Sequence, residues 1–208
     1  MMQSLVSAAI PSNEGTISTV HFEDVLEKNW SVLDFDKTNS DEEHLEKIDH
    51  IISAGKIVET SKILWIEWLI HHLVNNCFVV HDSLFILACI KEKYDKVKCW
   101  QGELINIPDK WTPFDVVFLY FLPALPFELH QILGSLAEHC LPGARVVISH
   151  PQGRQLVEEQ REQYPDVVVS NLPEKMTLQS IAIEHSFEMT DFVDEPGFYL
   201  AVLKFNAK

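Results

Sequence analysis

The sequence predicts an α/β fold built on a mostly parallel sheet, with helices on both faces and an antiparallel hairpin at the carboxyl-terminal end. Three observations carry this reading. From Lys56 onward, short apolar runs alternate with stretches of helical periodicity, the pattern of repeated βα units. The two late runs Glu188–Val193 and Phe198–Phe205 are separated only by Asp194-Glu195-Pro196-Gly197, which is turn chemistry and leaves no room for a crossover helix. The chain has 208 residues, 47% of them hydrophobic, enough to bury a core around a sheet of five to seven strands.

Residues 1–20 are Ser-rich and read as a flexible tail. Phe22, Val25, Leu26, Trp30 and Leu33 recur at helical spacing, so a helix is expected over His21–Asp34. A second follows. Thr38-Asn39-Ser40 supplies a cap, Asp41, Glu42 and Glu43 complement the first turn, and Leu45, Ile48, Ile51 and Ile52 form one stripe ending at Gly55. Residues 21–55 are therefore an amino-terminal helical cap, and residues 56–208 the α/β domain. Within it, strands are expected near Lys62–Ile66, Phe78–Val80, Val97–Trp100, Asp115–Tyr120 and Ala144–Ser149, with a short edge strand at Val167–Val169. Helices are expected over Trp68–Asn75, Leu84–Tyr94, Pro126–His139, Gln152–Tyr164 and Thr177–His185.

The formal net charge of -15 argues against nucleic acid and anionic membranes as partners, since both are held by clustered Lys and Arg. Between His21 and His50 ten acidic residues face three lysines, which is a solvated helical face or a docking surface for a basic protein. Cys77, Cys89, Cys99 and Cys140 form no CxxC pair and no zinc spacing, so they read as buried thiols in a reducing compartment and no metal is expected. No apolar run is long enough to span a bilayer, and the first lysine is Lys28. A cytoplasmic location is expected, with the plastid as the alternative.

Four segments resemble, in order, the motifs of the class I S-adenosylmethionine-dependent methyltransferases, plant methyltransferase-like proteins among them. Phe78-Val79-Val80-His81-Asp82-Ser83 is similar to that family's second strand, which ends in the acidic residue that holds the ribose hydroxyls. Val97-Lys98-Cys99-Trp100-Gln101-Gly102-Glu103-Leu104 resembles the third strand and the acidic turn over the adenine. Pro113-Phe114-Asp115-Val116-Val117-Phe118-Leu119-Tyr120 resembles the fourth strand, and Leu141-Pro142-Gly143-Ala144-Arg145-Val146-Val147-Ile148-Ser149 the "LkPGGrlvis" turn and fifth strand. The resemblance implies a Rossmann-like methyltransferase sheet, S-adenosylmethionine as cofactor, and Asp82, Glu103, Leu104, Tyr120 and Phe121 as cofactor-binding residues. A carboxylate at a strand tip can accept two hydrogen bonds from vicinal hydroxyls, which is the physical need Asp82 would meet. The acceptor implied is a small molecule, and no catalytic base is assigned, since such enzymes act mainly by alignment.

One segment departs from the family pattern. The family places GxGxG directly after its first strand, so that backbone approaches the amino acid portion of the cofactor without side chains in the way. With the first strand at Lys62–Ile66, those glycines are replaced by Glu67, Leu69 and His71, and a carboxylate there repels a zwitterionic ligand. Three accounts follow: a pseudo-enzyme that keeps the fold as a scaffold or interaction module, a cofactor bound in a changed pose, or a segment from a variant transcript.

Other residues have a functional and a plain reading. His71 and His72 are neighbours on a helix, about 100° apart, and cannot share an ion. His150, past the fifth strand, is either a general base or a cap for the loop before Pro151. Trp65, Trp68, Trp100 and Trp111 form either an aromatic cage for a cation or core packing. Arg154, Arg161 and Lys175 either receive an anionic group or solvate a helix. No GxSxG, GxxxxGKS or HExxH string supports a hydrolase, a P-loop nucleotidase or a zincin.

Overall fold

A computed structural model describes residues 57–60, 77–150 and 152–207 of the chain. The expected tail, both cap helices, the strand at Lys62–Ile66 and the helix at Trp68–Asn75 lie outside the described residues.

Among the described residues seven strands form one sheet in the order β3-β2-β1-β4-β5-β7-β6. They are β1 (Ile57–Thr60), β2 (Cys77–His81), β3 (Lys98–Gln101), β4 (Phe114–Leu119), β5 (Cys140–His150), β6 (Phe187–Glu195) and β7 (Phe198–Phe205). The first five pair in parallel, while β7 runs antiparallel to both β5 and β6. Four α-helices are described: α1 (Leu84–Lys93), α2 (Leu129–His139), α3 (Gly153–Gln163) and α4 (Lys175–Glu184).

Alternation along β2 shows how the sheet is sandwiched. Phe78 and Val80 join the large core, which Ile132, Leu133 and Leu136 of α2, Val157 of α3 and Leu178 and Ala182 of α4 complete. Cys77 and Val79 point the other way and join Ile86, Leu87 and Ile90 of α1. Helices therefore cover both faces, as expected. Helix starts follow local chemistry: the Ser83 hydroxyl accepts from the Ile86 amide at 3.1 Å, and Glu128 and Gln131 form a capping box that opens α2 three residues later than its apolar periodicity begins.

β1 at Ile57–Thr60 was not expected from the sequence. Two expectations are corrected. Val167–Val169 is not a strand. The Val167 and Val168 amides donate to the Tyr164 carbonyl, and the Val169 amide to the Pro123 carbonyl, so the segment turns across the loop after β4. β5 begins at Cys140 and contains the Pro142-Gly143 pair as a bulge, because the pairing jumps from Phe114 with Cys140 to Val116 with Arg145. Gly143 takes φ 84°, and Pro142 has no amide to donate.

All four cysteines are free. Cys77 and Cys140 are buried, whereas Cys89 and Cys99 are half-buried. Burial, aided by Asp115, pushes the Cys140 thiol up to about 12; burial also raises the Tyr199 phenol, against a lowering by Arg154. Both groups are neutral when protonated, so the native state holds their protons at pH values where the unfolded chain has released them. Stability is thus expected to be fully present below the ordinary thiol value and to fall as pH rises beyond about 9, by up to roughly 1.4 kcal/mol per pH unit for each group in its window. Urea midpoints measured from pH 7 to 11 check this, and Cys140→Ala should flatten the first part of the decline.

Among the described residues no helix is long and apolar enough to cross a membrane.

Candidate functional site at the carboxyl-terminal edge

In a parallel sheet, side chains just past the carboxyl ends of the strands share one edge, and ligands bind where the strand order reverses. Here the reversal falls at β1, flanked by β2 on one side and β4 on the other. The pairs Thr60–Val80, Val80–Trp100 and Leu119–Ile148 bring the strand ends to a common level. Asp82, Glu103, Tyr120, Phe121 and His150 therefore lie at one edge of the sheet. The Gly102 amide donates to the His81 carbonyl at 3.3 Å, and Gln101 Nε2 donates to the Asp82 carbonyl at 3.0 Å, tying the tips of β2 and β3 together.

The predicted residues differ in access. The Asp82 side chain is 52% exposed, with Oδ1 3.0 Å from His81 Nδ1. That nitrogen accepts from the Ser83 amide at 2.8 Å, so in the neutral imidazole it carries no proton to give Asp82. Glu103 is exposed and accepts from Asn106 Nδ2 at 2.7 Å, at the start of a short 3₁₀ turn over Leu104–Asn106. Leu104, Tyr120 and Phe121 are buried at 1–3% exposure and belong to the large core, so they form a floor under this edge.

The remaining readings separate cleanly. His150 is fully buried beside Phe121, at 5.3 Å between ring centroids, and its Nδ1 accepts from the Gln152 amide at 3.3 Å. That is the loop cap and not a base open to an acceptor. The tryptophan cage does not assemble from the described members. Trp111 stacks on Phe78 at 4.6 Å near the start of β2, with Lys98 and Lys110 over its ring, whereas Trp100, in β3 beside Val80, lies over Gly102; both pack against the large core. Trp65, Trp68, Glu67, Leu69, His71 and His72 lie outside the described residues.

Arg154 is not available to an anionic ligand. It pairs with Asp194 at 2.7 Å, donates to the Leu172 and Pro173 carbonyls, and sits 5.7 Å over the Tyr199 ring. Tyr199 in turn donates to the Pro173 carbonyl at 2.9 Å. This bracket fixes the carbonyls of Leu172 and Pro173, which the sequence does not single out. Val169, Ser170, Asn171 and Pro173 wall a cavity of about 610 Å³ together with Leu122, Leu125, Phe127, Glu128 and Gln131. The cavity lies beyond β4 and does not include Asp82 or Glu103. Arg154→Ala is expected to destabilise the chain by about 1–3 kcal/mol, because it removes the partner of Asp194 and frees the Leu172 carbonyl, while the Pro173 carbonyl keeps the Tyr199 hydroxyl. Faster proteolysis within residues 165–175 would report the released wall.

The comparisons with known proteins agree with this topology. No family model and no curated protein matches the sequence. Solved structures do match. An S-adenosylmethionine-dependent methyltransferase from Mesorhizobium loti superposes with TM-score 0.61 at 12% identity, covering 76% of this chain and 96% of its own. The fold is that of the S-adenosylmethionine-dependent methyltransferases. The N-methyltransferase NodS from Bradyrhizobium japonicum gives 0.59 at 11% identity, covering 81% and 96%. A TehB-like methyltransferase from Corynebacterium glutamicum gives 0.57 at 14% identity, covering 78% and 86%. At such identities the likeness speaks for the methyltransferase fold alone.

Proposed function

We propose that this methyltransferase-fold chain binds S-adenosylmethionine across the tips of β1, β2 and β3 and serves a small-molecule acceptor. The observation that carries the reading is the half-exposed Asp82 carboxylate at the tip of β2, next to the strand-order reversal at β1. Its two oxygens suit vicinal ribose hydroxyls. Glu103, exposed one strand further out, suits the adenine amino group, and Leu104, Tyr120 and Phe121 hold the floor that fixes both backbones. When bound, the cofactor supplies an electrophilic methyl group. The chain's own residues bind, orient and exclude water. The cavity beyond β4, lined by Leu122, Leu125 and Phe127 with Glu128 and Gln131 as polar members, suits a small apolar acceptor carrying a neutral or cationic polar group.

A second reading is a scaffold without catalysis, an acidic docking module for a basic protein through residues 21–55. A sequence feature favours it: no glycine occurs between Gly55 and Gly102, so the segment that follows β1 in the sequence has none of the residues that let backbone approach a ligand. Calorimetric titration of S-adenosylmethionine into the full chain separates the two. Saturable binding supports the cofactor reading; a flat titration leaves the scaffold.

A further inference from the structure

We propose that His130 and His185 form a two-imidazole chelate for a divalent transition metal ion of the zinc class, joining α2 to the end of α4. The proposal is independent of the methyl-donor reading. His185 Nε2 lies 2.8 Å from His130 Nδ1, with the rings inclined at 60°. Only one proton fits between two ring nitrogens at that distance, so the metal-free pair is a hydrogen bond in which one ring donates and the other accepts. An ion that displaces that proton meets two lone pairs already converging from separate helices.

The scaffold holds one donor in place and leaves the other accessible. His185 caps α4: its amide donates to the Ala182 carbonyl, and Ser186 follows at φ 64°. Its ring lies against Gly134 of α2, where a Cβ would come within 3.2 Å of Cε1. Burial first, and then His130, lowers the His185 pKa, which favours the neutral, ligating form; Glu184 opposes this. The His130 side chain is 62% exposed, open to water ligands. Glu184 Oε2, 3.6 Å from His130 Nδ1, adds negative charge beside the ion.

Imidazole donors select zinc-like ions over magnesium or calcium. Zinc–nitrogen bonds of 2.0–2.1 Å at a tetrahedral angle need the nitrogens about 3.3 Å apart, an opening of roughly half an ångström that the exposed His130 supplies by side-chain rotation. Among the described residues no group of three or more His, Cys, Asp or Glu could hold an ion, so water completes the shell and the site is an exchangeable one. Leu129 and Gln131, on either side of His130, line the cavity, so an ion here would stiffen its wall.

Thermal unfolding of the full chain with zinc chloride tests the proposal. At ten times the dissociation constant the wild type should gain about 3–6 °C. His130→Ala and His185→Ala should each lose the gain, and Glu184→Gln should weaken the affinity several-fold without abolishing it. His130→Gln, at an exposed position, guards against a fold defect in the alanine variant. No gain in the wild type, an equal gain in the histidine variants, or an equal gain with magnesium chloride would overturn it.

Discussion

Asp82→Ala is expected to weaken S-adenosylmethionine binding by roughly tenfold to a hundredfold, because each hydrogen bond to a charged carboxylate is worth about 1.5–3 kcal/mol. The fold should survive, since the Asp82 side chain is half exposed and packs into neither core cluster. Asp82→Asn should fall between the two, because the amide retains one acceptor oxygen. Glu103→Ala should lose less than Asp82→Ala. The Glu103 carboxylate is exposed and already accepts from Asn106, so part of its capacity is spent within the chain. Calorimetric titration of all four proteins measures the series, and equal affinity for wild type and Asp82→Ala would take Asp82 out of the site.

The largest loss of stability is expected at Gly153. This residue opens α3 at φ 72°, and a Cβ there would lie 2.9 Å from the Glu195 carbonyl oxygen, 3.0 Å from the Phe198 amide nitrogen and 3.1 Å from the Gly197 amide nitrogen. All three atoms are backbone of the β6–β7 hairpin, so none can swing aside as a side chain would. Gly153→Ala combines about 1–2 kcal/mol for the left-handed conformation with about 1–3 kcal/mol for the steric conflict. The melting temperature should fall by roughly 4–20 °C. Gly143→Ala provides the control: φ is 84°, but nothing lies within 4 Å of the added carbon. It should lose only the conformational part. Comparable losses in the two variants would show that the close approach of α3 to the hairpin costs little.

Much of the sheet was legible because its signals are local. β2, β4 and β7 are apolar runs bounded by turn residues, and Pro196-Gly197 announces the hairpin, with Gly197 at φ 85°. β1 was missed because Glu59 and Thr60 interrupt a four-residue strand, while the adjacent Ile63-Leu64-Trp65-Ile66 is a stronger apolar run. What makes Ile57–Thr60 a strand is its pairing with β2 and β4 on either side, which local propensity does not record. Three consecutive valines at 167–169 carry a strand propensity that no strand edge satisfies: the Tyr164 carbonyl takes the Val167 and Val168 amides and the Pro123 carbonyl the Val169 amide. In the site, Asp82 and Glu103 were readable from position after a strand. The bracket of Arg154, Asp194, Tyr199 and Pro173 was not, since Arg154 and Asp194 are 40 residues apart and the members meet only once the hairpin is in place.

β7 is made after all the other strands, yet it lies between β5 and β6 and is hydrogen-bonded to both. While the chain is still being synthesised, β5 exposes a bare strand edge and β6 has no neighbour at all. Native closure therefore waits for Phe205 to clear the ribosome, and a nascent or prematurely stopped chain ending before Phe198 is a ready substrate for chaperones and for edge-to-edge aggregation.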